Sequence, residues 1–247
     1  MFNLTSEGQT LKFIIERART SSVPVIELVK RAAVSGARVG VFAASFNPIT
    51  RAHIELMQGS VRRFGLHETL ALAGVSNADK SVYECPLEER LEMLILALEE
   101  DDATSIGVSS HPYFVDMVEA LDHAYGPDRD FYFIVGFDTF ERVLDRSDRY
   151  TRVYHHRFRD RREALTFLAA RSRLVVAGRA GATLRDVTTL LETEPEIRDR
   201  VLYLDVPDRI AERSATEVRQ RIHLGESISH LVPAAVERRI RARGLYQ

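Results

Sequence analysis

One short stretch carries most of the chemistry that this chain's residue types and spacing allow. Arg38 to His53 reads RVGVFAASFNPITRAH. Val39, Val41 and Phe42 with Ala43 and Ala44 predict a short buried strand, Ser45 to Pro48 break it, and AHIELMQGSVRRF from Ala52 onward has a helical period. A strand that runs through a tight loop into a helix N-terminus is suited to anions, because unpaired N–H groups and the positive end of the helix dipole face the same point. Ser45 and Phe46 sit in that loop, and Thr50 stands three residues before His53. An imidazole and a hydroxyl at such a terminus could donate to phosphate oxygens. A second cluster of the same kind lies late in the chain, in Arg213-Ser214-Ala215-Thr216-Glu217-Val218-Arg219. Ser214 reads as an N-cap with Thr216 in the first turn and Arg219 one turn on, so hydroxyls, N–H groups and a guanidinium converge. That combination suits a triphosphate.

The elements that must position these groups alternate along the chain. Thr69–Val75, Thr104–Ser109, Phe131–Val135, Leu174–Ala177 and Val201–Val206 are apolar runs of strand length. Between them, Leu87–Glu100, Phe114–Tyr125, Thr139–Leu144 and Leu184–Leu191 have helical patterns. Strand–helix alternation predicts an α/β fold, a doubly wound parallel sheet with ligands at the carboxyl ends of its strands. Ahead of it, Thr10–Arg19 predicts an amphipathic helix, and Val25–Ser35, following Pro24 and stopping near Gly36, predicts a second one.

The loop Asn77-Ala78-Asp79-Lys80 follows the second core strand, where a lysine can reach phosphates lying over the first helix. Gly136-Phe137-Asp138 follows Phe131–Val135 directly. A carboxylate there can accept from ribose hydroxyls, cap the next helix, or do both. Residues 145–163 hold seven arginines, Arg146, Arg149, Arg152, Arg157, Arg159, Arg161 and Arg162, beside His155 and His156. The adjacent histidines lack the spacing of helical metal ligands, so no protein metal site is expected there. A solvated loop or a subunit contact is the favoured reading of the segment, with a mobile arginine-rich cover as the alternative.

Composition narrows the class. The 247 residues are 45% hydrophobic and 28% charged, with a net charge of −2. They are enough for a buried core, and they give no global pull toward nucleic acid or membrane. The single Cys85 rules out an intrachain disulfide and a cysteine zinc site. No apolar run approaches the ~18 residues of a membrane span. MFNLTSEGQTLKF has neither a basic nor an apolar leader region, so the expectation is a cytoplasmic protein.

The opening motif resembles the G-x-F-x-P-x-[HT]-x-x-H signature of the HIGH-type nucleotidyltransferases, and within them the nicotinamide/nicotinate mononucleotide adenylyltransferases. The likeness continues through Lys80 with Arg90-Leu91-Glu92-Met93-Leu94, through Gly136-Phe137-Asp138 and Gly178-Arg179-Ala180-Gly181, and through Ser214-Ala215-Thr216 with Arg219. It ends on Leu231-Val232-Pro233 and Gly244-Leu245-Tyr246. It therefore covers residues 38–247 as a Rossmann-like nucleotidyltransferase domain and leaves residues 1–37 as a helical N-terminal extension.

The resemblance implies AMP transfer from ATP to a mononucleotide 5′-phosphate. His53, Thr50, Lys80 and Arg219 would be catalytic. Ser45, Phe46, Gly136, Asp138, Ser214 and Thr216 would bind nucleotide, and Mg²⁺ would accompany ATP. Tyr83, Tyr113 or Phe137 would stack on a pyridine ring, since the chain has no tryptophan. Where nicotinate-selective relatives carry Ser-Tyr-Thr-x-Asp-Thr, Tyr113 and Asp116 match, but Phe114 and Met117 replace the hydroxyl residues. Ala44 stands in place of a glycine and Ala215 in place of a serine. A cytidylyltransferase, a pantetheine-phosphate adenylyltransferase and a nucleotide-binding regulator without turnover are the competing readings. The implied partners are ATP and a mononucleotide; a homo-oligomer is compatible with the residues.

Overall fold

The computed structural model describes residues 4–76, 78, 84–153, 156–178, 182–207 and 214–247. Its centre is a seven-stranded sheet in the order β1-β4-β3-β2-β5-β6-β7. The strands are β1 (Ile26–Lys30), β2 (Arg38–Ala43), β3 (Glu68–Gly74), β4 (Thr104–Ser109), β5 (Asp130–Gly136), β6 (Ser172–Ala177) and β7 (Val201–Leu204). The pairs from β4 through to β7 are parallel, while β1 joins β4 antiparallel.

Each central strand is buried on both faces, and its residues alternate between two cores. Val39 and Val41 of β2, Leu70 and Leu72 of β3, and Phe131, Phe133 and Val135 of β5 enter one core. Phe42, Ala71, Ala73, Tyr132 and Ile134 enter the other. The first core is closed by α4 (Phe114–Tyr125), α5 (Phe137–Leu144), α6 (Arg161–Arg171) and α7 (Leu184–Leu191). The second is closed by α1 (Leu4–Thr20), α2 (Arg51–Phe64), α3 (Leu87–Ala97), α8 (Ala215–His223) and α9 (Ala234–Arg243).

From β2 the chain builds outward through β3 and β4, then returns to the other side of β2 with β5, β6 and β7. The order therefore reverses between β2 and β5. In open α/β sheets the crevice at the carboxyl ends of two such strands is where ligands bind.

The helix expected over Val25–Ser35 is not formed; Ile26–Lys30 is a strand. The β-branched residues Val25, Ile26 and Val29 suit an extended chain, and the edge of β4 offers its backbone. Gly107 leaves room for Ile26 and Leu28 to close on it. The N-terminal segment thus adds both a helix and an antiparallel edge strand to a sheet expected to be wholly parallel. Lys30 fastens the strand's end, its Nζ donating to the carbonyls of Leu98 and Asp101 at 2.6 and 2.7 Å just past α3. Among the described residues no helix is long and apolar enough to cross a membrane.

Candidate active site

Thr50 caps α2 in extended conformation, and the cap is reciprocal with His53. The Thr50 N–H donates to His53 Nδ1 at 3.0 Å, while the Thr50 side chain accepts from the His53 N–H. Because a backbone N–H can only donate, Nδ1 is the acceptor and the ring proton belongs on Nε2. The imidazole is further fixed edge-on by Phe46, with ring centroids 5.4 Å apart, and by Phe42 at 5.6 Å. Phe46 is fully buried, so its side chain supports His53 and is not part of the cavity wall.

The free N–H groups expected at this helix start are partly used by the protein itself. Arg51 N–H donates to the Leu231 carbonyl at 2.8 Å and His53 N–H turns back to Thr50. Where relatives carry glycine this chain has Ala44, yet the left-handed backbone of the loop falls on Phe46, whose φ is 44°. Ala44 is not among the positive-φ residues, and its N–H pairs with Leu72 O at 3.1 Å.

A cavity of about 320 Å³ opens at the sheet reversal. Ala44, Ser45 and His53 line it from β2 and α2, and Gly136, Asp138 and Arg142 from β5 and α5. Gly74 and Gly178 complete the wall at the ends of β3 and β6. A Cβ at Gly178 would fall 2.3 Å from the Tyr203 hydroxyl, so that close approach requires glycine. Asp138 does not cap α5; Gly136 holds the N-cap position without a side-chain bond. Its exposed carboxylate instead meets Arg142 at 2.6 Å.

A second, more apolar end of the cavity is walled by Phe114, Met117, Val135, Leu165 and Leu168. Tyr113, which precedes α4, and Tyr150 face each other there with centroids 5.9 Å apart. Tyr150 was not anticipated, because it lies inside the arginine-rich run; an aromatic residue amid so many cations is the signal that could have found it. Phe137 packs into the core beneath α5 and is not part of the wall. Lys80, Tyr83, Arg213, His155 and Arg179 to Gly181 lie outside the described residues.

The segment expected to be a solvated loop or subunit contact is tied to the domain. Arg157 grips Asp116 and Glu119 of α4, each at 2.6 Å, and its guanidinium lies over Phe158 and Phe167. Burial lifts the Asp116 carboxyl above the ordinary carboxylate range and outweighs the opposing pull of Arg157 and His111. Arg146 and Arg161 both bind the fully buried Glu194, at 3.0 and 2.6 Å. The buried Asp145 carboxylate accepts from the N–H groups of Tyr150 and Thr151. Asp145 and Arg157 thus anchor the segment on either side of Tyr150. The partners of Arg146, Arg157 and Arg161 were illegible in sequence because each closes onto an acid from a distant helix or loop.

The late cluster docks against the first. Ser214 caps α8, accepting from Glu217 N–H at 3.1 Å. Arg219 reaches from α8 to the Asn47 carbonyl at 2.8 Å, across 172 residues of chain, and its other nitrogens meet Thr216 Oγ1 at 3.3 Å and Glu84 at 3.2 Å. His53, Thr50, Ser45, Gly136, Asp138 and Arg219 are therefore gathered around the β2–β5 reversal. Ser214, Thr216 and Arg219 stand beside the Asn47 loop and outside the cavity wall.

Comparison with known proteins agrees with this geometry. Residues 41–221 match the cytidylyltransferase-like family. A Geobacter sulfurreducens protein named "Probable nicotinate-nucleotide adenylyltransferase" is 30% identical over 230 residues, covering 85% of this chain and 98% of that one. A Schizosaccharomyces pombe protein whose name specifies nicotinamide mononucleotide adenylyltransferase is 33% identical over 127 residues, 51% of this chain and 49% of its own. In fold, the chain is similar to Plasmodium falciparum nicotinic acid mononucleotide adenylyltransferase, solved with NaAD. The TM-score is 0.63 at 16% identity, over 85% of this chain and 98% of that one. With a reversal-point cavity, a capped histidine and a late S-x-T-x-x-R cluster closing on the same loop, this chain belongs to the cytidylyltransferase-like family of nucleotidyltransferases.

Proposed function

We propose that the protein transfers the AMP moiety of ATP to the 5′-phosphate of nicotinamide or nicotinate mononucleotide, forming NAD or its deamido form and pyrophosphate. The observation that carries this reading is the Arg219–Asn47 contact, which brings two separate phosphate-type motifs to one site at the sheet reversal. The names of the relatives point to the pyridine-nucleotide branch over the cytidylyl and pantetheine-phosphate alternatives.

The acceptor phosphate is already an anion, so attack at the α-phosphorus needs no protein nucleophile. A phosphate oxygen forms the new bond to that phosphorus while the bond to the bridging oxygen breaks, and pyrophosphate leaves. The protein's part is to align the two substrates and offset the growing charge. His53 Nε2–H donates to phosphate oxygens, with Thr50 holding the ring through Nδ1. Ser45 supports the phosphates from the loop. Arg219 and Lys80 offset the charge of the triphosphate and of the departing pyrophosphate, with Ser214 and Thr216 at its far end. Asp138 takes ribose hydroxyls by exchanging an exposed ion pair of the kind that contributes little on its own. The apolar end between Tyr113 and Tyr150 accommodates the pyridine ring.

Mg²⁺ bound with ATP supplies further neutralisation of phosphate charge. Among the described residues no group of three or more His, Cys, Asp or Glu could hold a metal. A Mg²⁺ ion that travels with ATP would be held by phosphates and water and needs few protein ligands. A cytoplasmic location accords with the single, buried Cys85. Incubating the protein with ATP, Mg²⁺ and a panel of acceptor phosphates tests the reading. Pyrophosphate release with the pyridine mononucleotides is expected; release only with phosphopantetheine, or only when CTP replaces ATP with an acceptor such as phosphocholine, would replace the reading.

A further inference from the structure

Two stretches marked in the sequence take no part in the chemistry above: the RLEML run in α3 and the closing Gly244-Leu245-Tyr246. Both end on the loop between β2 and α2. Arg90, 2% exposed, donates Nη1 to the Ser45 carbonyl at 2.5 Å. Tyr246, 5% exposed, donates its hydroxyl to Asn47 Oδ1 at 2.8 Å across 199 residues of chain.

With Arg219 on the Asn47 carbonyl and the Leu231 carbonyl on Arg51 N–H, four distant elements grip one short loop. The loop needs such support. Phe46 holds a φ of 44° with a full aromatic side chain, a conformation L residues persist in only when their surroundings impose it. Three residues after Asn47, Thr50 sets the His53 ring. Asn47 itself is buried, so its side-chain oxygen depends on a protein donor.

We propose that Tyr246 is a positioning residue for the reaction: its hydroxyl, through Asn47, fixes the loop that sets Thr50 and His53. This rests on the adenylyl-transfer reading for its kinetic test only. A tyrosine at the end of the chain then serves as the strut of the first motif. It accounts for a closing motif that is not part of the cavity wall.

The test is Tyr246→Phe in the full chain, which keeps the ring's packing and removes only the hydroxyl. The turnover number is expected to fall about tenfold with KM for ATP within about threefold, since the group lost acts on a transition-state donor. In a His53→Ala background the same change is expected to alter kcat less than twofold, because the path from Tyr246 to the phosphates is already cut. Hydrogen exchange of the amides from Ala44 to Ile54 is expected to quicken in Tyr246→Phe. Ile240→Val, a conservative change elsewhere in the same core, is expected to leave both kcat and that exchange as they were. An unchanged kcat in Tyr246→Phe overturns the proposal, as does a tenfold loss that multiplies with His53→Ala. Should the wild type release no pyrophosphate with any acceptor, the adenylyl-transfer reading fails. The exchange comparison then decides the positioning role alone, and an unchanged loop overturns it.

Discussion

The reciprocal bond between Thr50 and His53 lets the two nitrogens of one imidazole be tested separately. Nδ1 closes the cap of α2, and Nε2 is the donor assigned to the phosphates. Replacing His53 with Ala removes both. Thr50 still accepts from the residue-53 N–H, so the lost reciprocal half of the capping box costs at most about 1 kcal/mol of stability. The lost donor costs about 2.7–4 kcal/mol of transition-state stabilisation, a roughly 10²- to 10³-fold fall in kcat. Asparagine places an amide oxygen near the position of Nδ1, so His53→Asn restores the cap and the stability while kcat stays as low as in the alanine variant. Glutamine reaches the position of Nε2 with an N–H, so His53→Gln recovers part of kcat when its side chain faces the phosphates, and in that rotamer it does not close the cap. Steady-state pyrophosphate release and denaturant midpoints on the four proteins give both quantities. A His53→Asn variant with wild-type kcat would refute the assignment of Nε2, and equal stability in all four would refute the cap.

Other outcomes follow from the arginine-rich segment and the apolar end of the cavity. Glu194→Ala strips the partner from Arg146 and Arg161 beside a fully buried site, so a loss of about 3–5 kcal/mol is expected in chemical denaturation; a loss below about 1 kcal/mol would contradict the clamp. Arg157→Ala frees the segment that carries Tyr150 and is expected to raise KM for the mononucleotide several-fold while kcat at saturation holds, which a kcat loss above tenfold would contradict. The same variant has a signed pH dependence. Burial already lifts Asp116, and losing Arg157 lifts it further. The folded state then keeps a proton that the unfolded chain has released, so stability falls as pH rises out of the carboxylate range. Midpoints that do not move relative to wild type between about pH 4 and pH 7 would overturn this. Phe114 and Met117 face the apolar end without hydroxyls, and the Arg161 charge nearby is held by Glu194. Discrimination between nicotinate and nicotinamide mononucleotide is therefore expected within about tenfold, or ~1.4 kcal/mol, in kcat/KM. A thousandfold preference for the acid would mean that Arg161 reads the carboxylate.

How much of this was legible in the sequence depended on the range of the interaction. Strands β2 to β7 and helices α2, α3, α4, α5 and α7 follow from local apolar periodicity, whereas α6, which opens inside the arginine-rich run, was not expected. Val25 to Lys30 misled because a short apolar run fits either helix or strand, and only the open edge of β4 decides for strand. At the site, Thr50 and His53 were readable as a pair three residues apart at a helix start, although their reciprocal cap was not. Arg219 was readable as a motif, but its Asn47 partner was not. Arg157 with Asp116, Arg146 and Arg161 with Glu194, and Tyr246 with Asn47 all join residues far apart in the chain, so no spacing rule reveals them. Tyr150 was hidden for a related reason: its place over the cavity depends on Arg157 reaching α4 as well as on the local Asp145 turn.

The claim on which the rest depends is that the α-phosphorus of ATP moves to the acceptor. Following ATP labelled at the α-phosphate, with Mg²⁺ and either pyridine mononucleotide, measures this directly. The label is expected to appear in a dinucleotide, with one unlabelled pyrophosphate released for each. Label that remains in ATP, or that appears only as free AMP with either acceptor present, would contradict adenylyl transfer.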